Sequence, residues 1–382
     1  MLHTRPIKVY LACTGVGIIN RGIETFAREC FDGLKGTEGL HIELFKGAGP
    51  EKPYENRLWN IPRNSHVANF LGKCIRRNGY VVEQLSSFLP LVRHIKKGKP
   101  DIIFYSEANL GYQLYWWRQQ IGVPYKLLFS NGGPCGPPFS RTDRVHQVAP
   151  FYRDISLKAG EAESKHLLVP YGINVPDGLP LYGQARDRRR EKLGLPINRQ
   201  IVLSVGWISA THKRMDYTVK EIASLPEPRP YLVMLGHIDE TSQAIIDLAR
   251  THLGDNGFTA LSVPYEQVRE YYEAADIFTL ASLQEGFGRV YLEALIHGLP
   301  CVVHDHPVMK YVLGDQGTFA DLSQPGSMAV AIANLQKQPQ RPELMIQRRE
   351  YVRKNFSWKS LAPAYMEMFR NCLLESSKVV SH

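Results

Sequence analysis

Two glutamates around a glycine-containing turn have the spacing in this sequence that best suits a chemical role. Glu285–Gly288 (Glu-Gly-Phe-Gly) lies between a short apolar run and a helical pattern, and Glu293 follows Glu285 by about two helical turns. Glycines expose backbone N–H groups at a helix start, and that helix end is electropositive. A pyrophosphate would fit there, with a carboxylate on either side for sugar hydroxyls. The alternative is a loop glutamate and an unrelated glutamate on a solvent-facing helix.

A second group of polar residues follows the apolar run Ile201–Val205. The segment Gly206–Tyr217 is a polar turn that contains the adjacent cations Lys213 and Arg214. Lysine acts on a phosphate as a point charge, whereas arginine presents a planar fork of donors. The segment therefore predicts cations at the same crevice as the glutamates, and the alternative is an ordinary surface Lys-Arg pair.

A third candidate is the glycine-rich turn Thr14–Glu24, between a strand-like run and a helical pattern. Backbone N–H groups near Gly15 and Gly17 could approach a phosphate at the helix start. A dinucleotide-binding fingerprint would need a third glycine at position 20, where Asn20 stands. The turn is therefore interpreted either as a phosphate-facing loop or as a tight structural turn.

The elements that would position these residues alternate between apolar runs and amphipathic stretches. Predicted strands are Lys8–Cys13, His41–Lys46, Asp101–Tyr105, Lys126–Ser130, Ile201–Val205, Tyr231–Leu235, Phe258–Val263, Asp276–Leu280 and Cys301–His304. Predicted helices are Ile23–Leu34, Tyr217–Ala223, Ser242–Leu253, Glu266–Ala275 and Arg289–Ile296. Several strands are apolar on both faces, which is typical of parallel sheets covered by helices on each side. The alternation predicts an α/β protein with two doubly wound units.

A turn-rich stretch near residues 172–200 marks the boundary between these units. We expect an N-terminal Rossmann-like domain over 1–175, a C-terminal Rossmann-like domain over 176–355, and a terminal helix over 356–382. The charged run 186–192 is expected to form a helix that opens the second domain. We interpret its arginines, 186–190, as a solvated helix face, and the alternative is a nucleic-acid-binding patch, which would need more than one such run.

Composition narrows the class of protein further. The 382 residues carry a net charge of +9, with 44% hydrophobic and 22% charged residues, which is ordinary for a globular chain and excludes a disordered one. No window approaches about 18 uncharged apolar residues, the length that a membrane span needs. The N-terminus leaves no room for a signal peptide, and six scattered cysteines indicate reduced thiols. We therefore expect a cytoplasmic protein.

These motifs resemble those of retaining glycosyltransferases of family 4, which have the GT-B fold. The most specific match is the family's E-x7-E motif, Glu285 to Glu293, followed by Gly298–Val303. Val169–Asn174 resembles the family's domain junction, and Val352–Trp358 its closing segment, which crosses back onto the first domain. The resemblance covers nearly the whole chain and implies two Rossmann-like domains that face each other across a cleft.

The resemblance also implies roles for individual residues. Glu285 would contact donor-sugar hydroxyls, Glu293 the ribose hydroxyls and Lys213 the phosphate. With Asn131, which stands where many members have a histidine that contacts the sugar, Glu285 and Lys213 form the implied catalytic set. The remaining implied donor-binding residues are Gly15, Gly17, Arg214, Val263, Gly286, Phe287, Gly288 and Val290. Trp207 replaces an arginine that is common in the family. His146 is a further candidate for the histidine that contacts the sugar, although a lone histidine in a strand-like segment is more often structural.

The implied reaction transfers a hexose, with retention of configuration, from a nucleotide sugar to a hydroxyl of a polysaccharide or lipid-linked glycan. UDP-glucose is the expected donor from family frequency, no cofactor is expected, and no D-x-D motif is found that would hold a metal–diphosphate. The residues His304-Asp305-His306 are interpreted as a loop rather than as metal ligands. The apolar and basic segment Tyr80–Lys99 leaves open a peripheral contact with the inner face of the membrane or an ordinary packed helix.

Two other function classes stay open at this point. A nicotinamide-dependent oxidoreductase would also use two Rossmann-like domains, but Asn20 breaks its fingerprint and the two glutamates would have no role. A basic nucleic-acid-binding protein would account for the net charge, but no recognised nucleic-acid motif is present, and we expect no nucleic-acid partner.

Overall fold

The structure, a computed structural model, describes residues 5–19, 21–338 and 341–374. The chain divides into two compact units, Met1–Asn174 with Phe356–His382 and Val175–Asn355. Asn20 lies outside the described residues, and so does 375–382, the end of the expected terminal segment.

The strands are numbered in chain order. They are β1 (Ile7–Cys13), β2 (Leu40–Lys46), β3 (Glu55–Arg57), β4 (Ile102–Tyr105), β5 (Lys126–Ser130), β6 (Arg144–Gln147), β7 (His166–Leu168), β8 (Ile201–Val205), β9 (Tyr231–Leu235), β10 (Phe258–Leu261), β11 (Ile277–Thr279), β12 (Cys301–His304) and β13 (Gly317–Ala320).

The α-helices are numbered in the same way. They are α1 (Gly22–Leu34), α2 (His66–Cys74), α3 (Gly79–Gly98), α4 (Ala108–Trp116), α5 (Arg118–Ile121), α6 (Pro150–Lys158), α7 (Gln184–Leu193), α8 (Met215–Ala223), α9 (Ser242–Leu253), α10 (Tyr265–Ala274), α11 (Arg289–Ile296), α12 (Pro307–Leu313), α13 (Ser327–Gln336), α14 (Pro342–Phe356) and α15 (Trp358–Leu373).

The first unit is built on a parallel sheet with the strand order β3-β2-β1-β4-β5-β6-β7. Strand β1 is buried at every position except Lys8, which is half-buried, as expected for a central strand covered on both faces. Helix α15 belongs to this unit, where the hydroxyl of Tyr365 donates to the carbonyl of Pro170. The indole of Trp358 packs so closely on Gly33 and Gly172 that neither position has room for a Cβ atom.

The second unit is built on a parallel sheet with the strand order β10-β9-β8-β11-β12-β13. Strands β8 and β11 are neighbours in this sheet although β9 and β10 lie between them in sequence. The strand order reverses at this pair, so the loops that leave β8 and β11 open a crevice at the carboxyl edge of the sheet. Such a switch point is where open α/β sheets bind their ligands.

The expected α/β class with two doubly wound units is confirmed, and every predicted strand is present within a few residues of its expected bounds. The strands that the sequence did not predict are β3, β6, β7 and β13. Strand β6 shows the reason: its sequence is Arg-Val-His-Gln, yet all four residues are buried. Polar side chains that are paired inside the unit hide the apolar pattern on which strand prediction depends.

The interpretation of the run 186–190 as a solvated helix face is wrong for two of its arginines. Arg186 and Arg190, on α7, are buried and donate to opposite oxygens of Asp276, over 2.9 and 2.6 Å. The same carboxylate accepts the backbone N–H of Ile201 at 2.7 Å, at the start of β8. Because Asp276 precedes β11, this buried cluster fixes α7 to the two strands that open the crevice.

We expect the substitution Asp276→Asn to destabilise the second unit. An asparagine keeps the shape of the aspartate but loses charge-assisted hydrogen bonds to two buried arginines, a loss of about 1.5–3 kcal/mol. Urea unfolding, followed by circular dichroism, measures the effect. The control is Glu270→Gln, which removes a more exposed carboxylate that pairs with Lys192 and Arg189 and should cost about 1 kcal/mol or less. Equal stability of the two variants would contradict the role assigned to Asp276.

Candidate functional site

The crevice at the carboxyl ends of β8 and β11 brings Lys213 and Glu285 together. Lys213 lies in the loop between β8 and α8, and Glu285 lies in the loop between β11 and α11. The ammonium Nζ donates to Oε1 of Glu285 at 2.6 Å, and Nε2 of His212 lies 3.6 Å from the same oxygen. Two loops that are far apart in sequence therefore place a cation and a carboxylate in direct contact at the switch point.

The electrostatics of this pair keep the carboxylate charged. Glu285 is only 8% exposed, and burial alone would raise its pKa. The hydrogen bond with His212, together with the charge and the hydrogen bond of Lys213, outweighs burial and lowers the pKa of Glu285 to about 2. A carboxylate that is ionised at neutral pH is a strong acceptor for hydroxyl groups.

The loop after Glu285 turns into helix α11 at Gly288, which has a φ of 78°. This left-handed conformation favours glycine, and a Cβ atom there would lie 2.9 Å from Met309 and from Tyr291. Gly286 is half-buried, whereas Phe287 is buried in the unit. The first N–H groups of α11 thus start directly after the Glu285 loop, which makes this helix end electropositive.

Glu293 lies on α11, and it is half-buried. The hydroxyl of Tyr272, on α10, donates to Oε2 of Glu293 at 3.0 Å and lies 3.3 Å from the carbonyl of Val290. Sequence analysis missed Tyr272, because its contact with Glu293 joins two helices. The tyrosine holds the Glu293 carboxylate in a defined orientation on the side of the crevice next to α10.

Arg214, predicted to bind the donor, contacts backbone carbonyls within its own unit. It directly precedes α8, and its guanidinium donates to the carbonyls of Ala281 and Leu322, at 3.3 and 2.8 Å. The guanidinium also lies 4.4 Å from the ring centre of Tyr217. These contacts tie the loop after β11 to the loop after β13, so Arg214 braces the walls of the crevice.

The other predicted donor-binding residues of this unit lie on neighbouring elements. Val290 is half-buried on α11, and Val263 is half-buried in the loop after β10. Trp207 follows β8, and its exposed ring lies 6.4 Å from that of His237.

In the first unit, Gly15 and Gly17 form the turn that leaves β1. Gly17 has a φ of 83°, and a Cβ atom there would lie 2.4 Å from the carbonyl oxygen of Ala48. At Gly15 a Cβ atom would lie 2.3 Å from a carboxylate oxygen of Glu24. Gly17 is therefore required by its backbone conformation and its close approach to the backbone of Ala48, whereas Gly15 packs against a side chain. The role of this turn as a phosphate-facing loop stays a prediction.

A buried charge cluster, which sequence analysis did not find, lies against Gly15. Arg63 donates to both oxygens of Glu83 and also pairs with Glu24 at 3.2 Å and with Glu107 at 3.6 Å. Burial raises the pKa of Glu107 to about 7, although hydrogen bonds from Thr14 and the charge of Arg63 lower it. One guanidinium faces three carboxylates. The side chains packed against this turn are therefore mainly anionic, not cationic.

Asn131 follows β5 and is 1% exposed. Its carboxamide accepts from the N–H of Cys135 at 2.7 Å and donates to the carbonyl of Cys135 and to the side chain of Gln147. The side chain is therefore occupied in fixing the loop from 131 to 135. His146 is fully buried between Ser130 and the carbonyl of Val169, and burial lowers its pKa to about 4.

The histidines of the His304-Asp305-His306 segment have backbone partners. Nδ1 of His304 accepts the N–H of Leu322 at 3.1 Å, and Nδ1 of His306 accepts the N–H of Val308 at 3.2 Å and caps α12. Among the described residues, no group of three His, Cys, Asp or Glu side chains has an arrangement that could hold a metal ion.

Sequence comparison finds a known family that is similar to most of the second unit. Residues 185–354 match the family described as glycosyl transferases group 1. A D-inositol 3-phosphate glycosyltransferase of Kineococcus radiotolerans is 28% identical over 235 residues, which cover 56% of this chain and 53% of that protein. A mannosylfructose-phosphate synthase of Agrobacterium fabrum is 29% identical over 192 residues, covering 47% and 42%. The chain thus spans about half the length of these curated relatives.

Solved structures match over nearly the whole chain. A glycosyltransferase from Rickettsia africae superposes with a TM-score of 0.73 at 17% identity, covering 97% of this chain and 100% of that one. The Anabaena protein HepE in complex with UDP-glucose superposes with a TM-score of 0.71 at 14% identity, covering 95% and 99%. The chain therefore has the GT-B fold, and its residues 185–354 are similar to the glycosyl transferases group 1 family.

Proposed function

We propose that the protein is a retaining glycosyltransferase that moves a hexose from a nucleotide sugar to a hydroxyl of a polysaccharide or lipid-linked glycan. The observation that carries the proposal is the contact between Lys213 and Glu285 beside the start of α11, at the switch point of the second sheet. A cation, an ionised carboxylate and the N–H groups at the start of a helix are the groups that a sugar diphosphate needs. UDP-glucose is the proposed donor, and the HepE complex with UDP-glucose supports that choice.

Each residue of the second unit then has a proposed role. Glu285 accepts hydrogen bonds from donor-sugar hydroxyls, and Lys213 with the N–H groups of residues 287 and 288 binds the diphosphate. Glu293 accepts hydrogen bonds from the ribose, Val290 packs against the nucleoside, and the base lies near Val263. Arg214 and, in the first unit, Asn131 act by positioning loops.

The proposed reaction is a front-face displacement. The acceptor oxygen forms a bond to the anomeric carbon as the bond from that carbon to the phosphate oxygen breaks. The proton of the acceptor hydroxyl passes to the leaving phosphate oxygen, so the protein needs no side-chain base. Its contribution is to position the reactants and to stabilise the charge that grows on the diphosphate, which falls to Lys213 and the N-terminus of α11.

A panel of nucleotides in a thermal-shift assay tests this proposal against its alternatives. Saturating UDP should raise the melting temperature, because a ligand that binds only the folded state stabilises it. NAD should have no effect, and an oligonucleotide should produce no salt-sensitive binding. Stabilisation by NAD but not by UDP would favour the nicotinamide oxidoreductase instead and would contradict the proposal.

We expect transfer to continue when divalent ions are removed. The structure supplies a cation, Lys213, and an electropositive helix end at the proposed diphosphate site, and these can carry the charge stabilisation. Transfer from UDP-glucose, measured with and without excess EDTA, should be unchanged within about twofold. A complete loss that Mg²⁺ or Mn²⁺ restores would show that a metal ion takes part.

A contact with the cytoplasmic face of the membrane is proposed for the acceptor side. Helix α3, expected to supply it, buries Phe88 and Leu91 in the first unit's core but exposes Leu85 and Leu89, and Leu89 is 66% exposed. Helix α2 also exposes apolar side chains, those of Val67, Phe70 and Leu71, and Phe70 is 67% exposed. The basic residues close to this α2 face in sequence are Lys73, Arg76 and Arg77, and α3 carries Arg93, Lys96 and Lys97 near its C-terminal end. Within the described residues, no helix combines the length and apolarity that a membrane span requires.

Vesicle flotation tests this contact. The protein should float with phosphatidylcholine vesicles that contain phosphatidylglycerol and should be released by salt, because each nearby Lys or Arg contributes at most about 1 kcal/mol to binding an anionic surface. Phe70→Ser should reduce flotation severalfold because it removes an exposed apolar side chain. Val330→Ser, at an equally exposed position of α13, is the control and should float like the parent protein. Equal flotation of all three proteins would exclude the α2 face as the contact.

A further inference from the structure

A cavity in the first unit lies outside the residues assigned so far. It has a volume of about 240 Å³ and opens at the carboxyl ends of β4 and β5. The loop from 135 to 142 and the start of α4 form its rim. Pockets for drug-sized ligands occupy about 300–1,000 Å³, so this cavity suits a single sugar ring.

The walls of the cavity are aromatic. Tyr105, Phe129 and Phe139 are buried beneath it, and Tyr112 is exposed at its rim. Ring centres within this group lie close together, with Phe129 5.6 Å from Tyr105 and 6.0 Å from Phe139. Aromatic faces offer a large, rigid apolar surface, which suits the C–H face of a pyranose ring.

One charged side chain, Arg141, lines the cavity within the described part of the chain. Its guanidinium lies 4.9 Å from the ring centre of Tyr112 and 5.4 Å from that of Trp116, within the range of cation–π attraction. The structure gives Arg141 no hydrogen bond or ion pair to a described residue. The stacked aromatic rings therefore hold the guanidinium in place while its N–H donors stay available.

Another arginine of the first unit, Arg118, provides a comparison, because its guanidinium has a carboxylate partner. Arg118 also stacks on tyrosines, Tyr115 and Tyr125, but it pairs through two nitrogens with the carboxylate of Asp143, at 2.8 and 3.2 Å. Arg141 has the same aromatic support without the carboxylate. A planar fork of this kind matches the two oxygens of a carboxylate or a phosphate.

We infer that this cavity binds a sugar unit that carries an acidic group, with the ring against the aromatic wall and the carboxylate or phosphate on Arg141. This inference rests on the proposed function, within which the cavity is a subsite for the acceptor. Asn131 would then support acceptor binding indirectly, because its side chain fixes the backbone of Cys135 at the rim of the cavity. The acceptor class is then an acidic glycan rather than a neutral one.

Cys135 provides a local readout of occupancy. It lines the cavity and is exposed, and Cys74 is the other exposed cysteine of the described residues. The remaining cysteines are buried and are Cys13, Cys30, Cys301 and Cys372. In a Cys74→Ser background, alkylation therefore reports on Cys135. Burial raises the pKa of this thiol, so the labelling is carried out at alkaline pH.

Alkylation is measured against rising concentrations of D-glucose, D-glucuronate, D-glucose 6-phosphate and inorganic phosphate. We expect at least one of the two acidic sugars to protect Cys135 at concentrations at least tenfold lower than those needed with glucose or inorganic phosphate. Preference for glucuronate or for glucose 6-phosphate identifies the acidic group as a carboxylate or a phosphate. Protection by glucose at the same concentration, by inorganic phosphate at the same concentration, or by neither acidic sugar would overturn the inference.

Matched variants locate the interaction. Arg141→Gln should weaken protection by the acidic sugar at least tenfold, whereas Arg370→Gln, which removes the same charge from the exposed surface of α15, should leave it unchanged. Unaltered protection in Arg141→Gln would overturn the inference. UDP binding, measured by calorimetry on the same proteins, separates the two proposals. UDP binding without protection by either acidic sugar rejects this inference alone, whereas protection without UDP binding supports the ligand class and rejects the role as acceptor subsite.

Discussion

Replacing Lys213 by methionine should lower kcat for hexose transfer by about 10²–10³-fold, the effect of removing one donor that stabilises a developing oxyanion. Methionine keeps most of the length and apolar volume of the lysine but removes the charge that faces the proposed diphosphate. Negative charge on the leaving group grows toward the transition state, so the loss should exceed any loss of UDP affinity. Steady-state transfer rates and UDP calorimetry measure the two effects separately.

Lys220→Met is the matched control for this prediction. Lys220 lies on α8, a short distance along the chain from Lys213, and its exposed ammonium pairs loosely with Asp216 at 3.8 Å. The control removes the same charge from the same part of the unit and should retain the parent kcat. If both variants lose activity equally, the effect comes from net charge or stability and the role of Lys213 is contradicted.

The pH dependence of the Lys213→Met variant provides a second readout. Lys213 is one of the groups that lower the pKa of Glu285 to about 2, against the effect of burial. The stability from this lowered pKa is present above the unfolded value, about 4.3, and is lost as the pH falls toward 2. Without Lys213 the pKa of Glu285 rises. As the pH falls, the variant should therefore lose this stability at a higher pH than the parent protein, and the acid limb of its kcat/KM profile should shift to higher pH. An acid limb at an unchanged pH would contradict the electrostatic coupling.

The parts of the fold that were predictable from sequence are those set by local patterns. Strands β8 and β9 are buried on both faces, so their sequences are continuous apolar runs that need no knowledge of their neighbours. The turn into α11 was predictable for a related reason, because the glycine at 288 is required by backbone conformation, a local property.

Residue partners, in contrast, were not predictable from local pattern. Arg186 looked like a surface residue because its carboxylate partner, Asp276, lies 90 positions away. The carbonyls that occupy Arg214 are 67 and 108 positions from it. In each case the sequence shows a charged residue but not its partner. The environment of that residue depends on a long-range contact, which leaves no periodic signal in the sequence.

The two glutamates of the candidate site should fail in different ways when each is replaced by alanine. Glu293→Ala should weaken UDP itself by about 1.5–3 kcal/mol, the worth of hydrogen bonds to a charged group, because the ribose is present in UDP. Glu285→Ala should leave UDP affinity nearly intact and lower turnover, because its proposed partner is the hexose, which UDP lacks. Calorimetry with UDP and transfer rates with UDP-glucose measure both quantities on each variant.

The contacts of the two carboxylates make this comparison stricter. Glu285 pairs with Lys213, so its removal releases an ammonium beside the proposed diphosphate and gives UDP binding no electrostatic reason to weaken. Glu293 accepts from Tyr272, so Tyr272→Phe, which leaves the carboxylate in place but frees its orientation, should reproduce a smaller part of the Glu293→Ala loss. Melting temperatures identify variants that merely unfold, since a structural role would lower stability, UDP affinity and turnover together. If Glu285→Ala abolishes UDP binding while Glu293→Ala preserves it, the donor lies in the opposite orientation along the crevice.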